Sequence, residues 1–147
     1  MPRTSLSSVP ILVTQNPAEK SLRLVTHRLS AGFPSPASDY EEESLDFNSY
    51  LVENKPATFV FSVRGDSMIG ASIENGDKVV VDRARTPKHQ DIVVAVVDGE
   101  YTIKRLFRRT GKIELRAENP AYPPIVFSQA NELVIWGVVV GVVRRYR

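Results

Sequence analysis

Asp98-Gly99-Glu100-Tyr101-Thr102-Ile103-Lys104-Arg105-Leu106-Phe107 is the stretch that decides how the rest of the chain is read. Asp-Gly is a hairpin turn signal, because both residues tolerate the positive φ that a two-residue turn requires. After the turn, aromatic, β-branched and polar residues follow one another in the manner of a half-buried strand. Strand alternation puts Thr102, Lys104 and Leu106 on one face and Ile103 and Arg105 on the other. Before the turn, Asp91 to Val97 is rich in valine and supplies the strand's partner.

Working outward, the same β pattern recurs. Phe59-Val60-Phe61-Ser62-Val63 reads as a strand. Lys78-Val79-Val80-Val81-Asp82 follows the turn Glu74-Asn75-Gly76-Asp77, and Lys112 to Ala117 follows Thr110-Gly111. Leu133 to Arg145 is a long valine-rich strand that must be paired or covered, since an apolar edge is sticky. Six short strands separated by turn signals predict a mainly β protein, a compact folded sheet or barrel. One short helix is expected from Asp46, its cap, to about Glu53, with Phe47, Tyr50 and Leu51 on one face and Lys55-Pro56 ending it.

The first 44 residues are different. They hold Pro2, Pro10, Pro17, Pro34 and Pro36, many Ser and Thr, and the run Glu41-Glu42-Glu43, without a sustained apolar period. The chain therefore divides into an extended N-terminal arm, residues 1–44, and a β-rich body, residues 45–147. No pair of amphipathic helices forms a helix-turn-helix DNA reader.

Composition narrows the chemistry. The chain has 147 residues and no cysteine, which excludes disulfides, zinc–thiolate sites and a cysteine nucleophile. Neither a metal site nor a cofactor is expected. The longest mainly apolar run, Leu133 to Val143, falls short of the roughly 20 residues of a membrane-spanning helix, and the N-terminus is too weakly apolar for a secretory signal. A soluble protein of a reducing cytoplasm is the expectation. Charge is uneven: residues 1–100 carry 10 basic and 14 acidic side chains, residues 101–147 carry 9 and 3. A basic C-terminal part suits a nucleic-acid or acidic partner, but a solvated strand surface has the same composition. Direct DNA binding by Arg144-Arg145-Tyr146-Arg147 is not expected.

Gly65-Asp66-Ser67-Met68 begins where a buried-type strand must turn. Gly65 permits the turn and Ser67 would start a short helix, with its hydroxyl near backbone N–H groups. The amides of Asp66 and Ser67 are candidate oxyanion donors. A helix-capping serine has the same signature. As a nucleophile Ser67 needs a base. His27 lies in the arm and His89 in a polar loop, so neither is well placed for a triad. Lys104 is the alternative: an amine on an apolar strand face loses its proton more readily, because burial disfavours the charged form. A strand lysine that shields an edge is the competing account.

Taken together, Gly65-Asp66-Ser67-Met68, Glu74-Asn75-Gly76-Asp77 before a valine strand, and Asp98 to Leu106 resemble the LexA/UmuD family of self-cleaving serine peptidases, over about residues 30–145. The resemblance implies the folded sheet common to LexA-type and signal peptidases, Ser67 as nucleophile and Lys104 as general base. The arm is too short for the DNA-binding domain of the repressors, so the UmuD branch is the nearer likeness. Ala31-Gly32, within Ala31-Gly32-Phe33-Pro34-Ser35-Pro36, is then the implied scissile bond; Ala-Gly is the repressor-like form, where UmuD proteins commonly have Cys-Gly. Also implied are a homodimer, cleavage stimulated by a RecA filament on single-stranded DNA, and a processed form that joins a UmuC-like Y-family DNA polymerase subunit in SOS mutagenesis. A non-enzymatic polymerase-binding module and a LexA-like transcriptional regulator are the rival readings.

Overall fold

A computed structural model describes residues 5–6, 10–13, 22–25, 29, 31–33, 42–128 and 133–147. Its centre is the predicted set of six strands: β5 (Thr58–Arg64), β6 (Lys78–Asp82), β7 (Ile92–Val97), β8 (Glu100–Arg109), β9 (Lys112–Arg116) and β11 (Val134–Val143). Five shorter strands were not expected: β1 (Ser5–Leu6), β2 (Ile11–Leu12), β3 (Arg23–Val25), β4 (Glu42–Ser44) and β10 (Ile125–Phe127). At two or three residues each, they are too short to display an alternation. Pro123-Pro124 before β10 reads as a break rather than a strand start.

The main sheet is antiparallel, in the order β1-β5-β6-β11-β7-β8-β9-β10, with β2 beside β5. Ser5 of β1 pairs with Arg64 of β5 and also with Thr102 of β8. Among the described residues β2 and β10 do not pair with each other. The expectation of a mainly β folded sheet therefore stands, in the form of a folded sheet rather than a barrel. β3 and β4 form a separate two-stranded ribbon.

Turn chemistry sets the register. Asp98 and Gly99 both have positive φ, as do Thr110 and Gly111, the geometry that matches the twist of two adjoining strands. Val93 thereby lies opposite Lys104 and Ala95 opposite Thr102. β11 lies between β6 and β7 and is paired along both edges, so it is not a free sheet edge; only Gly137 and Val138 are buried, and Val134, Val142 and Val143 are exposed. Its register slips between Ile135 and Gly137 and again between Val139 and Gly141. A Cβ on Gly137 would come within 2.7 Å of Val81 Cγ1, so the first of these bulges needs a residue without a side chain.

Two apolar clusters fill the folded sheet. Phe61, Met68, Val79, Val81, Val94 and Ile103 belong to one, and Val93, Ala95, Leu106, Leu115 and Val138 to the other. Val94 parts from Val93 and Ala95 as the two-residue period demands. Trp136 packs edge-on against Phe61 with ring centroids 5.1 Å apart, and the Arg83 guanidinium covers its ring. The helix α1 (Phe47–Leu51) is capped as expected, the Asp46 carboxylate accepting from the Asn48 amide. It buries none of its residues, however, and Phe47 and Tyr50 are exposed.

Arg144 does not project as part of a free basic tail. Its guanidinium donates to both carboxylate oxygens of buried Asp77 and to the Ser72 carbonyl. The Asp77 carboxylate also accepts from the Glu74 amide and so closes the 74–77 turn. Those bonds, Arg144 first, hold the Asp77 carboxyl below the usual carboxylate range. Among the described residues no helix is long and apolar enough to cross a membrane, and no cluster of His, Asp and Glu could hold a metal ion.

Candidate active site

β5 ends at Arg64, and Gly65 follows with φ of 95°, a conformation that side-chain-bearing residues rarely adopt. The Gly65 amide donates to Asn75 Oδ1 at 3.0 Å, tying this turn to the 74–77 turn. Three residues after Gly65, Met68 is fully buried in the core, and its carbonyl accepts from the amides of Ala71 and Ile73. Ser67 sits between the left-handed glycine and the buried methionine, and is itself fully buried. The expected helix after it is a single 3-10 turn, Ile69–Ala71, that starts two residues later. A turn that short has no appreciable dipole, so any stabilisation of charge near Ser67 falls to individual N–H groups.

Lys104 comes from the middle of β8 and is 6% exposed. Its register neighbours Val93 and, beside Thr102, Ala95 are fully buried and apolar. The Lys104 Nζ lies 3.1 Å from Ser67 Oγ, 3.1 Å from Thr102 Oγ1 and 3.0 Å from the Ile103 carbonyl oxygen. Strand β8 and the turn after β5 thus bring together the serine and the lysine singled out in the sequence. All three oxygens are neutral. A neutral amine has two N–H bonds and one lone pair. It can donate to Thr102 and Ile103 while its lone pair accepts from the Ser67 hydroxyl. That is the arrangement in which a lysine can act as a base toward a serine.

Ala31 and Gly32 are placed differently. Both are exposed, and a Cβ added to Gly32 would meet no atom within 4 Å. The structure does not pack the implied scissile bond against the serine–lysine pair. Of the two histidines, His27 lies outside the described residues, and His89 is engaged by the Arg108 amide and the Arg109 side chain at the far end of the β8–β9 hairpin.

Sequence reasoning missed the loop after β9. The Glu118 carbonyl accepts from the Gly70 amide at 2.8 Å, and the Asn119 side chain donates to the Asp66 carbonyl at 3.0 Å. The Tyr122 hydroxyl donates to the Asp66 carboxylate, a bond that raises the phenol above its ordinary range. The Glu118 carboxylate pairs with Arg105, the residue after Lys104. Glu118-Asn119-Pro120 announces a turn, but nothing in it points to residues 66–70.

Comparison with known proteins places the chain in a family. The family described as Peptidase S24-like matches residues 23–140. Protein SamA of Salmonella typhimurium strain LT2 is 44% identical over 133 residues, covering 90% of this chain and 92% of its own. Protein ImpA of Escherichia coli is 44% identical over 125 residues, 84% of each chain. The LexA repressor of Syntrophotalea carbinolica is 52% identical over 89 residues, 60% of this chain but 44% of the repressor.

Proposed function

This chain belongs to the Peptidase S24-like family, and from that premise we propose that it is a self-cleaving serine endopeptidase that cuts its own Ala31–Gly32 bond. One observation carries the reading: the buried Lys104 amine lies 3.1 Å from the Ser67 hydroxyl. Burial disfavours the ammonium form of a lysine, and the neutral form is the one that serves as a base.

In the proposed reaction the Lys104 amine takes the proton of Ser67 Oγ as that oxygen attacks the Ala31 carbonyl carbon. The oxyanion is held by the amides of Asp66 and Ser67. The tetrahedral intermediate collapses, the C–N bond breaks, and Lys104 delivers its proton to the leaving amine of Gly32. Water, deprotonated by the regenerated amine, then attacks the acyl carbon, and as the ester bond breaks Lys104 returns the proton to Ser67 Oγ. No metal and no cofactor takes part. Gly32 suits the bond because a residue without a side chain lets the backbone approach the nucleophile closely.

The exposed position of Ala31–Gly32 implies that the arm must dock before it is cut, which is where control fits. The likeness to the UmuD branch supports a RecA filament on single-stranded DNA as the trigger. It also supports a homodimer, and a processed chain of residues 32–147 that assembles with a UmuC-like Y-family polymerase subunit in SOS mutagenesis in the bacterial cytoplasm. Engagement of Arg144 by Asp77 leaves less of the basic tail for DNA.

Intact-mass analysis of the full chain at alkaline pH, with and without an activated recombinase filament, tests the reading. The expected product begins at Gly32, and Ser67→Ala abolishes it, a loss of about 10⁴-fold or more, with the melting temperature within a few degrees of the parent. Cleavage that persists in Ser67→Ala removes the nucleophile assignment.

A further inference from the structure

The loop after β9 is docked on the nucleophile turn through several independent bonds, and one of them acts on the peptide that carries the serine amide. The Asn119 side chain is fixed at both ends. Its Oδ1 accepts from the Ala121 amide at 3.0 Å, which identifies the other end as the NH2 group, and this donates to the Asp66 carbonyl at 3.0 Å. The Asn119 carbonyl accepts in turn from the Tyr122 amide. Gly70 presses against the same loop so closely that a Cβ there would lie 2.6 Å from the Glu118 carbonyl oxygen.

The Asp66 carbonyl and the Ser67 amide belong to one planar peptide, and no cis bond occurs among the described residues. In a trans peptide C=O and N–H point in opposite directions. Whatever fixes the carbonyl therefore fixes the direction of the Ser67 N–H. Apart from Asn119, the Asp66 carbonyl accepts from the Ile69 amide in a long turn bond of 3.3 Å. The Asn119 bond is shorter and comes from outside the turn, so it resists rotation of the peptide plane in a way a local turn bond cannot.

We propose that Asn119 is a positioning residue for acyl transfer: by holding the Asp66 carbonyl, it aims the Ser67 N–H as an oxyanion donor. Asn119 touches no reacting atom and moves no proton. The inference rests on the reading of Ser67 as the nucleophile. It assigns the loop at 118–122 the task of keeping the turn set for the transition state, with Tyr122 on the Asp66 carboxylate as a second strut.

Asn119→Asp tests this with little change of shape. The aspartate still accepts from the Ala121 amide, but it has no donor for the Asp66 carbonyl. In the full chain, self-cleavage followed by intact mass should slow about 10- to 100-fold, less than the roughly 10²- to 10³-fold cost of removing one oxyanion donor outright, because the Ser67 amide is misaimed and not lost. The pH dependence of the rate should keep the parent's midpoint, because Lys104 is untouched. The ¹H–¹⁵N resonance of the Ser67 amide, recorded at a pH where cleavage is slow, should shift, and Asn119→Gln, which retains a donor, should recover part of the rate. An unshifted Ser67 amide overturns the proposal, as does a rate equal to the parent's, or a loss of rate that merely tracks a lowered melting temperature. A parent chain that does not cleave at all removes the nucleophile reading instead, and the amide resonance still decides whether Asn119 holds the peptide.

Discussion

The turn bearing Ser67 and the segment bearing Ala31-Gly32 are opposites. Around Ser67 every neighbour is specified: a left-handed glycine before it, a buried methionine after it, an amine at 3.1 Å, and a loop bonded to Asp66 and Gly70. Around Gly32 there is open space. The proposed chemistry is assembled in advance, whereas the bond it would act on is not in place. For a protein that carries its own substrate this division has a physical use. Preorganised groups need no rearrangement at the moment of reaction, so in the proposed reaction the rate would be governed by how often the arm docks at Ser67, and a partner would need only to change that population.

The contrast can be broken from either side. On the side of the body, Arg144→Ala leaves the Asp77 carboxylate buried without its cation. Loss of that partner should appear as a lowered unfolding free energy in denaturant titration. The same pair sets an acid dependence. The folded-state carboxyl of Asp77 titrates below its unfolded value, so its contribution is full above the ordinary carboxylate range. It is lost as the pH falls through that range toward the lowered value. Arg144→Ala should flatten this part of the stability–pH curve, while the cleavage rate at temperatures where the fold is intact changes little.

On the side of the arm, Gly32→Val should do the reverse. Gly32 is exposed and an added Cβ would meet nothing within 4 Å among the described residues, so the melting temperature should stay within about a degree of the parent, as for surface substitutions in general. Cleavage should slow about 10- to 100-fold, because a branched side chain beside the scissile carbonyl hinders close approach to Ser67. Equal cleavage rates in Gly32→Val and the parent would place the cut elsewhere.

Much of this was legible in the sequence where local rules act alone. The Asp98-Gly99 turn fixed the β7–β8 register, and with it the face on which Lys104 and Thr102 meet. Asp46 capped its helix because capping involves only neighbouring residues. The short strands β1 to β4 and β10 were illegible because two or three residues have no period and owe their pairing to distant partners. The exposed Phe47 and Tyr50 escaped for a related reason: helical spacing says which residues share a face, not whether anything covers that face. Asn119 was hidden most completely. Its meaning lies in a carbonyl 53 positions away, and no local pattern connects the two.

The central claim is that the Lys104 amine takes the Ser67 proton. Its most direct test is the rate at which the full chain converts to the fragment beginning at Gly32, followed by intact mass from neutral to alkaline pH in the parent and in Lys104→Ala. The parent rate should climb as the amine deprotonates, and Lys104→Ala should give no conversion at any pH. A Lys104→Ala chain that gives the same fragment with the parent's pH profile would contradict it.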